Sequence, residues 1–402
     1  MSAAGRAPDS FASAGRPVSV VLAGGGTAGH TSPLVATAQE LLRLAPGTRV
    51  TAVGTARGLE TTVVPAAGLT LELIPPVPLP RRPGPDLLRV PGRLAAAVRA
   101  AARVLRETEA DVALGFGGYV STPVYLAARR LGVPVVVHEQ NALPGLANRL
   151  AARITRDVYT SFPGTPLAHA TLIGLPLRRG IADLDRVAAR PAARAAFDLG
   201  ADRPTLLVSG GSQGAASING AARGSVDALL AAGISVLHVL GPRNFAPTDV
   251  PRTDDATGAT YVPVAYVEAM EQAYAAADLM LGRCGAGTVM ETAAVGLPSV
   301  FVPYPHGNGE QARNAAPVVD AGGGLLLDDA ACTPAWVAAE APALLGDPAR
   351  LAAMTRALAG TARRDAATVL ARRTLAVAQS GPGRGRWTYG PYKPDEPDRK
   401  EH

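Results

Sequence analysis

The sequence predicts an α/β protein made of two doubly wound, Rossmann-like domains that face each other across a cleft. Three observations carry this expectation. From Pro17 onward a short β-branched or aliphatic run, a glycine-rich turn and a helical stretch follow one another repeatedly, which is how parallel sheets covered by helices are written in sequence. The same plan restarts at Thr205. Each half also opens alike, with GGGTAGH (Gly24 to His30) after the first strand of one and GGSQGA (Gly210 to Ala215) after the first strand of the other.

Residues 1–16 are polar and rich in Ala, Gly and Ser without an apolar h-region, so they read as a disordered leader and not as a signal peptide. In the first half the runs Val18 to Ala23, Val50 to Gly54, Asp111 to Phe116 and Val133 to His138 read as buried strands. Helices are expected near Leu34 to Leu44, Leu87 to Glu107 and Thr122 to Leu131. Within the second of these, Val90, Leu94, Val98, Ala102 and Leu105 recur at helical spacing. The stretch from Leu172 to Arg203, with Gly174 and Pro176 and bounded by Pro204, reads as the linker, and the boundary falls near Pro176. Strands then follow at Thr205 to Ser209, Ser235 to Gly241, Thr260 to Val264, Asp278 to Gly282, Ser299 to Pro303 and Gly324 to Leu327. Residues 380–402 are dominated by Gly, Pro and charge and read as a disordered tail.

Composition narrows the function. A chain of 402 residues with 48% hydrophobic and 18% charged residues can bury two cores and is not intrinsically disordered. Its net charge of +6 favours anionic partners. Nucleic acid is disfavoured, because aromatics are only 4% and basic runs interleaved with stacking residues are sparse. Cys284 and Cys332 make neither a disulfide framework nor a metal motif, which fits a reducing compartment and no bound metal. No charge-free apolar run reaches the length of a membrane span.

The chemistry lies in the loops. A strand, a glycine turn and a helix put backbone N–H groups and the positive end of a helix dipole at one point, where a diphosphate binds without a metal. Gly24, Gly26 and Gly29 match GxGxxG, but the strand at 50–55 ends without an acid and Glu60 follows too late, which counts against an NAD or FAD domain. Gly210 to Gly214 also match the GxSxG nucleophile elbow, with Asp278 and His306 in the chain order of a serine hydrolase. That reading leaves the first glycine turn and His30 without a purpose, and Ser212 reads better as a hydroxyl donor to phosphate. Three further segments mix glycine with hydrogen-bonding side chains: GFGGY (Gly115 to Tyr119), HEQNALPGLANR (His138 to Arg149) and GRCGAGTVMET (Gly282 to Thr292). His138 reads as a core histidine, Asn141 as a substrate contact, Cys284 as filler, and Arg313 with Asn314 as the start of a solvated helix. Tyr119 reads either as packing or as part of the site.

Taken in order, GGGTAGH, GFGGY, HEQNALPGLAN, GGSQGA, GRCGAGT and HGNGEQARNA resemble the MurG family of GT-B glycosyltransferases, from about Val18 to Ala378. The resemblance implies an inverting transferase that moves GlcNAc from UDP-GlcNAc to the 4-hydroxyl of MurNAc in lipid I. The product would be lipid II for peptidoglycan synthesis, and hence for cell shape and division. It implies an acceptor and membrane-binding domain at 17–176, a UDP-GlcNAc-binding domain at 177–355 and a helix at 356–379 that crosses back. No cofactor is implied. Donor contacts carried over from the family are Thr27, Ala28, Gly29, Asn141, Arg178, Ser212, Gln213, Ala286, Gly287, Thr288, Glu291 and Gln311. Glu291 would take the ribose hydroxyls, Arg178 the diphosphate and Gln311 the sugar. Acceptor contacts would be Gly25, Gly26, Gly117, Gly118 and Tyr119. His30 would be either the general base or a group that only orients the acceptor or caps the helix. Many family members carry two adjacent glutamines where this chain has Glu310 and Gln311.

The loop IPPVPLPRR (Ile74 to Arg82) sets Val77 and Leu79 beside Arg81 and Arg82, which reads either as apolar tips and arginines suited to an anionic leaflet or as a proline-rich loop packing on its own domain. The resemblance makes it part of a patch that holds the enzyme peripherally on the cytoplasmic face of the cell membrane. Three rival readings stay open at this point. They are a related transferase with another lipid-linked or natural-product acceptor, a serine hydrolase using Ser212, and a non-catalytic membrane scaffold.

Overall fold

The computed structural model describes residues 16–77 and 86–380. The leader before Arg16, the tail after Ser380, and Leu79, Arg81 and Arg82 of the proline-rich loop lie outside the described residues.

The first lobe is a parallel sheet of seven strands: β1 (Ser19–Ala23), β2 (Arg49–Gly54), β3 (Thr70–Leu73), β4 (Val112–Gly115), β5 (Val135–Glu139), β6 (Val158–Thr160) and β7 (Ala170–Leu172), in the order β3-β2-β1-β4-β5-β6-β7. The central strand SVVLA is buried along its whole length because helices cover both faces, which is why it reads as continuous apolar sequence. Leu22 pairs in register with Ala52 on one side and Leu114 on the other. The second lobe repeats the plan with β8 (Thr205–Ser209), β9 (Ser235–Val239), β10 (Arg252–Thr253), β11 (Thr260–Val264), β12 (Leu279–Gly282), β13 (Ser299–Phe301) and β14 (Gly324–Leu326), ordered β10-β11-β9-β8-β12-β13-β14. Only β10 runs antiparallel, against β11.

Strand order reverses beside β1 and again beside β8, and ligands of open α/β sheets sit at such switch points beyond the carboxyl ends of the strands. Ala23 pairs with Gly115, so GGGTAGH and GFGGY leave the sheet side by side. Ser209 pairs with Gly282, so GGSQGA and GRCGAGT do the same in the second lobe.

The chain crosses between the lobes and then returns. Ile173, Gly174, Leu175, Pro176 and Leu177 make the first crossing and are all buried. The helix Ala366–Gln379 packs back onto the first lobe, where Leu370, Ala371, Leu375 and Ala378 join Leu34, Val35 and Leu41 in one core. The Thr368 hydroxyl donates to Glu40 there.

Two expectations are revised. The helices Ala28–Leu44 and Gly118–Leu131 begin inside the glycine motifs, several residues earlier than apolar spacing shows, because glycine carries no apolar signal. Val77, expected at an exposed loop tip, is buried at 6% exposure next to buried Ile74.

Candidate active site

A cleft of about 620 Å³ opens between the lobes, within the range of small-ligand pockets. Ala28 and Gly29 line it from the first lobe. Arg178, Ser212, Ala286, Gly287, Thr288 and Glu291 line it from the second. The structure thus gathers eight of the sequence-predicted site residues in one cavity. Val267, Tyr266 and Met270, which the sequence reading did not single out, also belong to its second-lobe wall.

The helix Ala286–Val295 aims its N-terminus at this cleft, and Gly285 at its N-cap offers no side-chain cap. The first-turn amides and the dipole are therefore left for an anion. Glu291 lies one turn further on, and its Oε2 accepts a 2.7 Å hydrogen bond from the buried Tyr274 hydroxyl. Burial pushes the Glu291 carboxyl above the ordinary range, against the opposing effects of the Tyr274 hydrogen bond and the Arg178 charge. The Arg178 guanidinium reaches the same cleft with its buried Nε unpartnered, a donor a ligand can satisfy.

The second glycine turn follows β8. Gly211 and Gly214 hold positive φ of 83° and 74°, which glycine alone adopts freely. Gly214 must lack a side chain because a Cβ would run into the Leu240 carbonyl. Ser212 faces the cleft, whereas Gln213 is exposed outside its lining and uses its carbonyl to accept from Asn244.

In the first lobe the two glycine motifs interlock. Gly118, at φ 75°, lies against the Gly25 carbonyl and the His30 ring, and the Tyr119 ring lies over Gly26. A Cβ on Gly117, at φ 85°, would crowd the Asn148 amide. Thr27 caps nothing with its side chain, and its hydroxyl instead meets His30 Nδ1 at 3.0 Å. Burial holds the His30 pKa down to about 4, opposed by the Glu60 charge, so the ring is neutral near pH 7. Helix capping by His30 is not seen. The amide of Gly26, expected to face a diphosphate, donates to Glu60 instead at 2.8 Å.

Two expected ligand contacts are engaged between the lobes. Asn141 Oδ1 accepts from Asn314 Nδ2 at 3.2 Å, and the Ala142 amide donates to Asn314 Oδ1 at 2.8 Å. Asn314 is fully buried, which corrects its reading as the start of a solvated helix; Arg313 beside it is exposed. Gln311, one turn earlier on the same helix, accepts from the Tyr304 amide at 2.9 Å, which leaves its NH₂ to donate elsewhere. Neither Asn141 nor Gln311 lines this cleft. His138 is a core histidine as read, fully buried with Nε2 2.9 Å from the Gly174 carbonyl. Cys284 is buried filler whose thiol is pushed up to about 12 by desolvation.

A Ser212 triad does not form. Asp278 pairs with the backbone of Thr205, the first residue of β8, and is held by Arg190 and Arg194. Ser212 lies beyond Ser209, the last residue of that five-residue strand, so about 15 Å of sheet separates the two. His306 is exposed and packs edge-on against Tyr304.

The chain matches the glycosyltransferase family 28 N-terminal domain over residues 20–160 and the corresponding C-terminal domain over residues 205–370. It is 58% identical over 356 residues to a Nocardioides UDP-N-acetylglucosamine–N-acetylmuramyl-(pentapeptide) pyrophosphoryl-undecaprenol N-acetylglucosamine transferase, covering 89% of this chain and 97% of that one. A relative of the same name from Cutibacterium acnes is 55% identical over 370 residues, covering 90% and 98%. Among solved structures, MurG of Acinetobacter baumannii superposes with a TM-score of 0.69 at 27% identity, over 89% of this chain and 99% of that one. A calicheamicin glycosyltransferase, at 19% identity and a TM-score of 0.61 over 90% and 98%, shares the fold. With both family domains matched along most of its length, and the cleft between them built as described, the chain belongs to glycosyltransferase family 28, among the MurG transferases.

Proposed function

We propose that this protein transfers GlcNAc from UDP-GlcNAc to the 4-hydroxyl of MurNAc in lipid I, with inversion, and so forms lipid II. The observation that carries the reading is the convergence of Arg178, the uncapped N-terminus of the helix Ala286–Val295 and Glu291 in one interlobe cleft. That set suits a nucleoside diphosphate, with a carboxylate for ribose hydroxyls and positive groups for phosphate. Residues 17–176 would serve as the acceptor domain and 177–355 as the donor domain; the helix expected at 356–379 begins only at Ala366, after the preceding helix has ended at Ala357 and a turn has intervened, and it is Ala366–Gln379 that would tie the lobes together.

In this mechanism the 4-hydroxyl oxygen attacks the anomeric carbon while the bond from that carbon to UDP breaks. The negative charge that develops on UDP is stabilised by the first-turn amides of the helix Ala286–Val295 and by Arg178. Gln311 would donate from its free NH₂ to the sugar, and Asn141 would present its remaining NH₂ beside it. Ser212, Gln213, Thr27, Ala28 and Gly29 would complete the donor side. Gly25, Gly26, Gly117, Gly118 and Tyr119 would bound the acceptor, with the Gly26 amide engaged by Glu60.

The proton lost by the 4-hydroxyl goes to His30 in this reading. With Nδ1–H donating to Thr27, Nε2 presents its lone pair. A pKa near 4 makes a weak base, and docking of the anionic acceptor diphosphate nearby would strengthen it by favouring the imidazolium. The acceptor would reach the site from an anionic membrane surface at the cytoplasmic face. In support, the helix Asp86–Glu107 exposes Arg93, Arg99, Arg103 and Arg106, and no described helix is long and apolar enough to cross a bilayer.

The test is transfer of radiolabelled GlcNAc by purified protein onto lipid I. Incorporation into a product with the mobility of lipid II is expected. Absence of transfer to lipid I, or transfer only to a different lipid-linked acceptor, would overturn the assignment.

A further inference from the structure

Glu60 is fully buried, carries no ion pair among the described residues, and is embraced only by hydrogen-bond donors. Its Oε2 accepts from the Gly26 amide at 2.8 Å. Its Oε1 accepts from the Thr55 amide at 2.9 Å and from the Thr55 hydroxyl at 3.2 Å. A carboxylate this far from water persists only where such donors replace its hydration. Three glycines make room for it: a Cβ on Gly25, Gly54 or Gly58 would fall on the Glu60 side chain. This pocket joins the end of β2 and the first turn of the helix Glu60–Ala66 to the GGGTAGH loop.

The Thr55 hydroxyl has a second neighbour, the Tyr119 hydroxyl, at 3.0 Å. An ionised carboxylate can only accept, so the single Thr55 proton points to Glu60 and Tyr119 must donate to Thr55. The relay therefore has one direction, from Tyr119 through Thr55 to Glu60. Tyr119 is left with lone pairs facing outward and no proton to give. A phenol so polarised receives an O–H or N–H from a ligand and repels a phosphate oxygen.

We infer that Glu60 is a positioning residue of the acceptor half of the site, which fixes the first glycine turn and, through Thr55, sets Tyr119 as an acceptor for a hydroxyl or amide N–H of the sugar or peptide portion of the acceptor substrate. The inference rests on the lipid I reading above and deepens it. It moves the acceptor diphosphate away from the Gly26 amide, which Glu60 already occupies, and away from the Tyr119 hydroxyl.

Steady-state kinetics with lipid I and UDP-GlcNAc varied separately test it, with Thr55→Val, Thr55→Ser and Glu60→Gln. Thr55→Val keeps the backbone donor and removes the relay. It should lower kcat/KM for lipid I by about 10-fold while the donor KM stays within about twofold. Thr55→Ser should restore activity. Glu60→Gln places an NH₂ among donors and should cost about 10-fold to 100-fold on the same parameter. Adding Tyr119→Phe to Thr55→Val should bring little further loss, because both cut one relay. The inference fails if Thr55→Val matches wild type, if Thr55→Ser is as impaired as Thr55→Val, or if donor and acceptor KM shift together. Should Glu60→Gln not fold, the Thr55 pair decides alone. Wild-type protein inactive on lipid I would instead sink the functional reading itself.

Discussion

Replacing Glu291, which lines the cleft, tests the proposed donor side of the site. One carboxylate oxygen already accepts from Tyr274, and the other lies 3.9 Å from where a Gly287 Cβ would stand, at the rim of the cleft. A ribose presents two neutral hydroxyls, and a hydrogen bond to a charged group contributes about 1.5–3 kcal/mol net. Allowing for the share held by Tyr274, Glu291→Ala should lose about 2–4 kcal/mol of donor binding, or roughly 30-fold to 1000-fold in KM at about 1.4 kcal/mol per decade. Glu291→Gln keeps one acceptor and should fall between. Tyr274→Phe removes the partner hydroxyl without touching the ribose and should raise KM by less than about 10-fold. Initial rates at saturating acceptor give KM, and calorimetry with UDP gives Kd, so that binding is separated from turnover. Because the ionised carboxylate is the binding form and burial raises its pKa, donor affinity should weaken on acidification earlier than for an ordinary glutamate. A Glu291→Ala protein whose KM and Kd both stay within about twofold of wild type would refute the ribose assignment.

Three other outcomes are expected. His30→Ala should lower kcat by about 100-fold with donor KM unchanged, measured by single-turnover transfer; a near-normal kcat would leave His30 as an orienting group. Asn314→Ala strands the Ala142 amide and Asn141 Oδ1 at the lobe junction, a loss of about 1–3 kcal/mol that should lower Tm by a few degrees and raise KM for both substrates. An unchanged Tm would deny the junction any energetic part. His138 and His238 are buried with pKa values held down to about 4, while their unfolded counterparts titrate near 6.5. Between those values the unfolded chain binds more protons, so stability should fall as pH drops from 6.5 towards 4, by up to about 1.4 kcal/mol per pH unit for each histidine. Urea midpoints at pH 7 and pH 5 measure this, and equal midpoints would contradict it.

What could be read from sequence follows signal strength. β1, β2, β4, β5, β8 and β12 are sandwiched by helices, so they are near-continuous apolar runs that announce themselves. β3 and β7 are short and largely exposed, β6 has three residues and β10 two, and none offers a period long enough to recognise. That Glu291 and Arg178 come together in the cleft was legible through motif resemblance. Glu60 was legible only as an acid in the wrong place for a ribose, since nothing linear says that a short helix folds it beneath a loop 34 residues earlier. Asn314 was misread for a similar reason. Its neighbours Arg313 and Glu310 look solvated, and its partner Asn141 is 173 residues away. Long-range polar pairs leave no periodic trace, and this site is made of them.

The returning helix Ala366–Gln379 has a consequence for biogenesis. The first lobe closes its core with Leu370 and Leu375, segments synthesised about 200 residues after its last strand. At about 5–20 residues per second, the groove beside Leu34 and Leu41 stays uncovered on the ribosome for roughly 10–40 s. The nascent amino-terminal half is thus a natural client for a holdase, and severing the gene near codon 176 would yield a fragment prone to self-association.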